Sequence, residues 1–215
     1  MLVTLRAVAG HVTPKQFVDK WRDSTLGERQ GAQEHFIDLC HLLGEDTPGT
    51  DSASESYAFE KGALKTGGGD GWADVWKKGC FAWEYKGKGK DLGAALKQIK
   101  MYASALENPP LLIVSDMEII EVHTNWTNRV HETHVFTFDD LLDAAKRQRL
   151  KAAFSDTAVE QFLPGRKRSD LTRDVAQDFV ELAENLRKRG HDAETVAHFV
   201  NRMVFCMFAE SVDNT

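Results

Sequence analysis

Apolar residues recur at helical spacing in two segments near the start of the chain. The pair Thr13 and Pro14 has the pattern of an N-cap followed by a first-turn proline, and it predicts a short helix that continues to about Trp21. A second helix is predicted over about 26–43, because its apolar residues return every three or four positions and Gly44 can end it.

The middle of the chain alternates between strand-like runs and one helix. The helix begins after Asp91, a good N-cap, and its apolar stripe continues to about Glu107, before two prolines. Strands are predicted at 57–65, 72–76, 80–86, 111–115, 118–124 and 134–138. This order predicts an α/β fold in which helices flank a central mixed sheet.

Only helices are predicted after Phe138. They occupy about 139–154, 170–189 and 193–211. We place a boundary near 163–169, which divides the chain into residues 1–163 and an all-helical C-terminal extension, 164–215. The last helix carries a broad apolar face that needs a partner, so we expect the sequence to be part of a longer protein.

The composition is that of an ordinary globular protein. Of 215 residues, 42% are apolar, which is enough to build a sizeable core. Apolar runs such as 111–114 are far too short to cross a bilayer. The three cysteines form no CxxC pair, which argues against a disulfide framework and a structural zinc site. We therefore expect a cytoplasmic protein without a membrane partner.

Charge is distributed unevenly along the chain. The net charge of -6 alone argues against a nucleic-acid partner, since phosphate binding needs a basic surface. Residues 61–100, however, contain nine basic and four acidic side chains. This basic segment also contains the candidate chemistry.

A carboxylate and an amine share one face of the predicted strand 80–86. Its aromatic residues alternate with small or charged ones, so the aromatic face is built for a core. Glu84 and Lys86 lie on the opposite face, at the end of the strand. Charges in such a position need a site or solvent to compensate them.

A predicted hairpin brings a second carboxylate to Glu84. Residues 77–79 have the pattern of a three-residue loop that ends in a glycine. Such a loop would pair Trp76 with Cys80. Asp74 would then lie on the same face as Glu84, one diagonal step away.

Two carboxylates beside a lysine predict a site for a hard divalent cation. Mg²⁺, or Mn²⁺ in its place, binds a few carboxylates and leaves room for a phosphate oxygen. Asp74 and Glu84 would hold the ion, and Lys86 would orient water or offset charge in the transition state. This is the chemistry of phosphodiester hydrolysis. Lysines must surround such a site to attract DNA, and the contacts predicted here are Lys61, Lys65, Lys88 and Lys90.

The spacing of these residues resembles a known superfamily. Asp74, followed after nine residues by Glu84 and then Lys86, resembles the D-x(n)-E-x-K core of the PD-(D/E)XK nucleases. Gln98 and Tyr102 on the following helix resemble the QxxxY element of several branches. The resemblance implies a PD-(D/E)XK restriction-endonuclease-like fold with Gln98 and Tyr102 in supporting positions.

A closer resemblance, over about 13–140, is to the N-terminal nuclease region of MmeI-like type IIL (type IIG) restriction-modification enzymes. It implies that 1–163 is a Mg²⁺-dependent endonuclease domain acting on double-stranded DNA in phage defence, and that 164–215 begins a helical spacer. S-adenosylmethionine would bind only in a methyltransferase domain beyond this sequence. The resemblance also implies a supporting glutamate on the first long helix, for which Glu34 is the candidate, and possible dimerisation on DNA.

Other interpretations stay open at this point. Asp70 competes with Asp74 as the metal ligand, although its glycine neighbours favour a turn. The chain could instead be a non-catalytic DNA-binding or partner-docking module on a nuclease fold. It could also be a structure-specific nuclease of repair or recombination.

Overall fold

The helices and strands follow the predicted order. The computed structural model describes residues 12–49, 56–64, 70–165 and 168–213. The helices are α1 (Pro14–Arg22), α2 (Glu28–Leu43), α3 (Leu92–Tyr102), α4 (Phe138–Leu142), α5 (Ala144–Lys151), α6 (Arg168–Lys188) and α7 (Ala193–Asp213). The strands are β1 (Tyr57–Leu64), β2 (Asp70–Lys77), β3 (Phe81–Tyr85), β4 (Leu111–Ser115), β5 (Ile120–Thr124) and β6 (Thr133–Phe136). No helix in the described ranges has the length and apolar character needed to cross a membrane.

Within the described residues, six strands form one mixed sheet in the order β1-β2-β3-β4-β5-β6. All neighbours are antiparallel except β3 and β4, which are parallel. Every residue of β3 and β4 is buried, as expected for central strands covered on both faces. The predicted α/β architecture, a mixed sheet flanked by helices and followed by a helical part, is confirmed.

Two hydrophobic cores cover the two faces of the sheet. On one face, α1 and α2 contribute Phe17, Trp21 and Phe36, which pack with the aromatic face of β3. On the other face, α3 contributes Ala95 and Ile99, which pack with the small and aliphatic residues of β3 and β4. The alternation of side chains along β3 therefore serves both cores at once.

Helix α3 connects the two parallel strands. A parallel pair needs a crossover, and α3 supplies it between β3 and β4. Asp91 begins the helix by accepting hydrogen bonds from the amides of Gly93 and Ala94, at 2.8 and 3.3 Å. The crossover places the side chains of α3 over the end of β3.

The register of the β2–β3 hairpin differs from the prediction by one residue on each strand. Trp76 pairs with Ala82, not with Cys80, and the three-residue loop is 78–80. The reason is that Gly79, at φ +70°, occupies the middle of the turn. The turn is closed by a hydrogen bond from the Cys80 amide to the Lys77 carbonyl at 3.1 Å. Because the pairing shifts by one residue on each strand, the side chains of both strands stay on the faces of the sheet that were predicted for them.

The predicted helix 139–154 is interrupted. Asp143 has an extended conformation, with ψ 129°, and it ends α4 and begins α5. Its side chain accepts the Lys146 amide at 2.9 Å, so a residue predicted to lie inside one helix acts as the N-cap of the next.

The chain divides into two compact units. One lies within residues 1–127 and 131–164 and contains the sheet; the other lies within 128–130 and 165–215 and contains α6 and α7. The assignment of 1–163 to a nuclease domain and of 164–215 to a spacer stays a prediction.

Candidate active site

Asp74 lies where the hydrogen-bond ladders of β2 are interrupted. The β2–β3 ladder ends at the pair Val75 and Trp83. The β1–β2 ladder skips the position of Glu60 opposite Asp74, and Glu60 has a positive φ of 51°. Continuing the hairpin register by one residue sets Asp74 level with Glu84, in place of the predicted diagonal placement, and the charge of Glu84 raises the pKa of Asp74. The two carboxylates therefore meet where the strands separate.

The Asp74 side chain bonds to the neighbouring strand directly. Its Oδ2 accepts a hydrogen bond from the Tyr85 amide at 2.6 Å. A carboxylate thus takes the place that a strand carbonyl would occupy, and this holds Asp74 beside β3.

Glu84 is buried within a network of three donors. Its Oε1 accepts hydrogen bonds from Lys86 Nζ at 2.9 Å and from Gln98 Nε2 at 2.7 Å. Its Oε2 accepts the Tyr102 hydroxyl at 2.8 Å. Lys86 Nζ also donates to Gln98 Oε1 at 3.3 Å. The structure therefore brings Glu84, Lys86, Gln98 and Tyr102 together, as the sequence predicted.

Burial and like charge raise the pKa values of both carboxyl groups. Burial, reinforced by the charge of Glu84, raises the pKa of Asp74 to about 6. Burial also raises the pKa of Glu84, although hydrogen bonds from Lys86 and Tyr102 oppose the rise. The two carboxyl groups thus share a partly desolvated position in which ionisation of Asp74 is disfavoured.

Lys86 keeps its charge in this setting. Burial lowers its pKa, but the hydrogen bond to Glu84 and the surrounding carboxylates raise it by more. Lys86 therefore stays protonated at neutral pH and can donate hydrogen bonds or offset negative charge.

The glutamate of α2 that reaches this region is Glu28, not Glu34. Glu28 Oε2 accepts the Gly87 amide at 2.7 Å, and its charge raises the pKa of Asp74. Glu34 instead bonds to Lys20 at 2.6 Å and is half exposed. Glu34 therefore does not lie with the other site residues. Glu28 does, although the sequence pattern did not indicate it. Gly31 was the available signal, because a glycine inside a helix often marks a close approach.

The segment after β3 is tied to three parts of the unit. The Lys86 amide donates to the Ser115 carbonyl at 2.8 Å. The Gly89 amide donates to Asp116 Oδ2 at 3.0 Å, and Glu28 holds Gly87 between them. These bonds fix the backbone from which Lys86 projects.

The predicted DNA-contacting lysines have different surroundings. Lys61 Nζ lies 4.8 Å from the centre of the Trp76 ring. Lys88 pairs with Glu118 at 2.7 Å and donates to the Arg22 carbonyl at 2.9 Å. Lys90 is exposed. Lys65 lies outside the described residues, as do positions 66–69.

The chain matches a protein-family model over most of its length. Residues 12–189 match the family model described as MmeI, N-terminal domain. The chain belongs to this family. The match includes the whole sheet and each residue of the site, and it confirms the predicted likeness to MmeI-like N-terminal regions. Membership of the MmeI N-terminal family associates the chain with restriction-modification enzymes. No curated protein and no solved structure matches the chain.

The donors in this member of the MmeI N-terminal family suit Mg²⁺ better than a softer metal. Asp74 and Glu84 are carboxylates, and Mg²⁺ commonly needs only one or two of them together with substrate phosphates. No cluster of three His, Cys, Asp or Glu that could hold a metal occurs in the described residues. Asp74 and Glu84 are the residues here that could hold such an ion.

A cavity of about 370 Å³ opens beside Asp74. It lies between the N-terminal part of α2 and strands β1 and β2. Its lining includes Glu28, Gln33, Phe59, Glu60, Trp72 and Asp74. In this member of the MmeI N-terminal family, Asp74 thus lies at an acidic and aromatic pocket.

Proposed function

We propose that this chain is the Mg²⁺-dependent endonuclease domain of a type II (IIG or IIL) restriction-modification enzyme, with a PD-(D/E)XK fold, which hydrolyses phosphodiester bonds of double-stranded DNA in phage defence. The observation that carries the proposal is the meeting of Asp74, Glu84 and Lys86 at the separating ends of β2 and β3. Membership of the MmeI N-terminal family supports it.

Asp74 and Glu84 would hold the metal, with Mn²⁺ able to replace Mg²⁺. When bound, the ion would polarise the scissile phosphate and lower the pKa of a water molecule. A cation here would offset the burial that raises the pKa values of Asp74 and Glu84, and the charge of Glu84 that raises the pKa of Asp74 further.

The remaining side chains would orient the reacting groups. Protonated Lys86 would donate to the attacking water or to a phosphate oxygen, and would offset the negative charge that develops in the transition state. Gln98 and Tyr102 fix both oxygens of Glu84, so they keep its carboxylate in one orientation. Glu28 would act from the α2 side through its charge and its bond to Gly87.

Three further parts of the proposal extend beyond the catalytic residues. A methyltransferase domain that binds S-adenosylmethionine would follow this region in a longer polypeptide. Two copies would meet on DNA for cleavage. Lys61, Lys65, Lys88 and Lys90 would contact the phosphate backbone.

One observation favours a second candidate, a non-catalytic DNA-binding or docking module. Both Glu84 oxygens already accept hydrogen bonds from the chain's own donors, so Glu84 is satisfied without a metal. In that case Lys86 would serve Glu84 as a structural partner only.

Metal-dependent nicking of supercoiled plasmid separates the two candidates. We expect the chain to nick DNA with Mg²⁺ or Mn²⁺ and not with Ca²⁺, and Asp74→Asn and Lys86→Met to reduce the rate by about 10²-fold or more. Asp19→Asn, an exposed acid on α1, is the matched control and should cleave normally. Calorimetry that detects neither Mg²⁺ nor Mn²⁺ binding, together with absent nicking, would support the non-catalytic module. Much faster cleavage of branched than of linear DNA would reassign the chain to repair or recombination.

A further inference from the structure

Trp72 is a large aromatic side chain that the fold leaves open. It is 54% exposed, whereas Trp21, Trp76 and Trp83 are buried. An exposed indole gives up the free energy that burial would provide, and large aromatic groups in this state often mark binding surfaces. Trp72 takes part in neither hydrophobic core.

The indole of Trp72 rests on the backbone of β1. Trp72 pairs with Gly62 across the β1–β2 ladder. A Cβ at Gly62 would lie 3.3 Å from the indole Nε1 and 3.6 Å from Cδ1. Because Gly62 lacks a side chain, the ring can lie close against the strand while more than half of its surface stays accessible. The result is a flat aromatic platform.

This platform lines the same cavity as Asp74. The two residues are two positions apart on β2, which is roughly 6.6 Å along a strand. The cavity of about 370 Å³ also presents the amide of Gln33 and the carboxylates of Glu28 and Glu60. Its volume admits a planar heterocycle between the aromatic wall and these polar groups.

The charge of the cavity selects among the parts of a nucleotide. The negative charges of Glu28, Glu60 and Asp74 repel a free phosphate. A metal at Asp74 would neutralise this repulsion only for the phosphate that the metal binds. A nucleobase is neutral and carries N–H groups, which can donate hydrogen bonds to the carboxylates and to the side-chain oxygen of Gln33. A base is therefore the part of the substrate that this pocket fits.

We propose that Trp72 stacks on a nucleobase that has left the duplex stack beside the phosphate held at Asp74, with the base edge directed at Gln33 and Glu60. This inference rests on the proposed function for the identity of its substrate, DNA. A base inside a duplex has both faces covered by its neighbours, so the nucleotide must be unstacked before the indole can stack on it, and indole stacking accepts any base because every base has a π-face. Trp72 thus contributes to substrate positioning without sequence recognition.

Binding of a fluorescent duplex tests the proposal. The probe is a short duplex with 2-aminopurine opposite an abasic site, and Ca²⁺ replaces Mg²⁺ so that binding is measured without cleavage. We expect Trp72→Ala to weaken binding by about five- to a hundredfold. Trp72→Phe should bind within about threefold of the wild type, whereas Trp72→Leu should behave like Trp72→Ala, because it keeps apolar bulk without a π-face. Val135→Ala, on exposed β6, is the matched control and should bind normally.

Intrinsic fluorescence gives an independent readout. The probe should quench tryptophan emission of the wild type, and Trp72→Phe should lose most of this quenching, because Trp21, Trp76 and Trp83 are buried and Trp126 is partly buried against the core. Circular dichroism of each variant checks the fold, which an exposed residue should not affect.

Three results would overturn the inference: wild-type affinity in Trp72→Ala, equal affinity of the Leu and Phe variants, or no binding of the probe by the wild type. Equal Leu and Phe affinities would indicate an apolar contact surface instead. Plasmid nicking in Mg²⁺ is scored separately. Stacking without nicking would refute the proposed catalysis and leave the Trp72 inference standing, and nicking by the wild type together with wild-type affinity in Trp72→Ala would do the reverse.

Discussion

The Tyr85 amide donates to the Asp74 carboxylate at 2.6 Å across the end of the β2–β3 ladder. This single bond holds an acid in place although burial and Glu84 raise its pKa to about 6. The Asp74 carboxylate therefore makes a favourable hydrogen bond, while its negative charge destabilises the folded protein.

Replacing Asp74 by Asn should stabilise the protein at high pH. In the unfolded chain this acid ionises near 3.8, so the folded protein binds more protons between about pH 4 and 6, and stability falls as pH rises through that window. Asn keeps an acceptor for the Tyr85 amide and carries no charge. We expect urea unfolding to show a gain of about 1 to 2 kcal/mol at pH 8 and almost none at pH 4.

The same variant should lose metal-dependent nicking. Asp74→Asn is therefore expected to increase stability and to decrease activity. Lower stability of Asp74→Asn than of the wild type at pH 8 would contradict the assigned charge penalty. Saturating Mg²⁺ should reduce the difference by stabilising the wild type alone.

Glu28 and Glu34 lie on one helix and allow a direct comparison. Glu28→Gln should reduce the nicking rate by about tenfold or more, because it removes a charge beside Asp74 and weakens the bond to Gly87. Glu34→Gln should stay within about twofold of the wild type, since Glu34 pairs with Lys20 on the surface. Initial rates of plasmid nicking measure both, and a larger loss in Glu34→Gln would reverse the assignment.

The Tyr102 hydroxyl stabilises the ionised form of Glu84. Tyr102→Phe should shift the acidic limb of the pH–rate profile to higher pH, because the lost hydrogen bond allows the pKa of Glu84 to rise further. It should also cost about 1 to 3 kcal/mol of unfolding free energy by leaving Oε2 without a donor. Tyr57→Phe removes only a 3.5 Å contact with Cys40 Sγ and should cost less. An unshifted limb in Tyr102→Phe would show that Glu84 does not control the rate.

The lysines near the site should differ in their contribution to DNA binding. Lys90 is exposed, so Lys90→Gln should reduce the slope of log K against log[salt] by about 0.9. Lys88 pairs with Glu118, so Lys88→Gln should change the slope less. Fluorescence anisotropy at several salt concentrations in Ca²⁺ measures both slopes. Equal changes would mean that DNA displaces Glu118 from Lys88.

Local pattern predicted the elements of this fold well, because most of them have one strong signal. Thr13 forms the expected capping box with Gln16, and Gly44 ends α2 in the left-handed conformation. The period-two pattern of β3 also placed Glu84 and Lys86 correctly relative to the core.

Features that depend on how elements meet were harder to predict. The hairpin register depended on which residue of the turn Gly79 occupies, and several loop frames fit the same letters. The choice between Glu28 and Glu34 depended on how α2 lies on the sheet. A Cβ at Gly31 would lie 2.8 Å from Met117 Sδ, so the start of α2 approaches the β4–β5 turn, and helical periodicity alone does not contain that contact.

The contacts of the site also differ in their separation along the chain, and this has a consequence for folding order. The bonds from Asp74 to Tyr85, from Gln98 to Glu84 and from Tyr102 to Glu84 span 11, 14 and 18 residues. The bond from Glu28 to Gly87 spans 59 residues. Because closing a longer loop costs more entropy, we expect β2, β3 and α3 to assemble the acids and their donors as a local unit. Glu28 would join late in folding, when α2 docks, so the acidic pair would form before the side of the pocket that α2 provides.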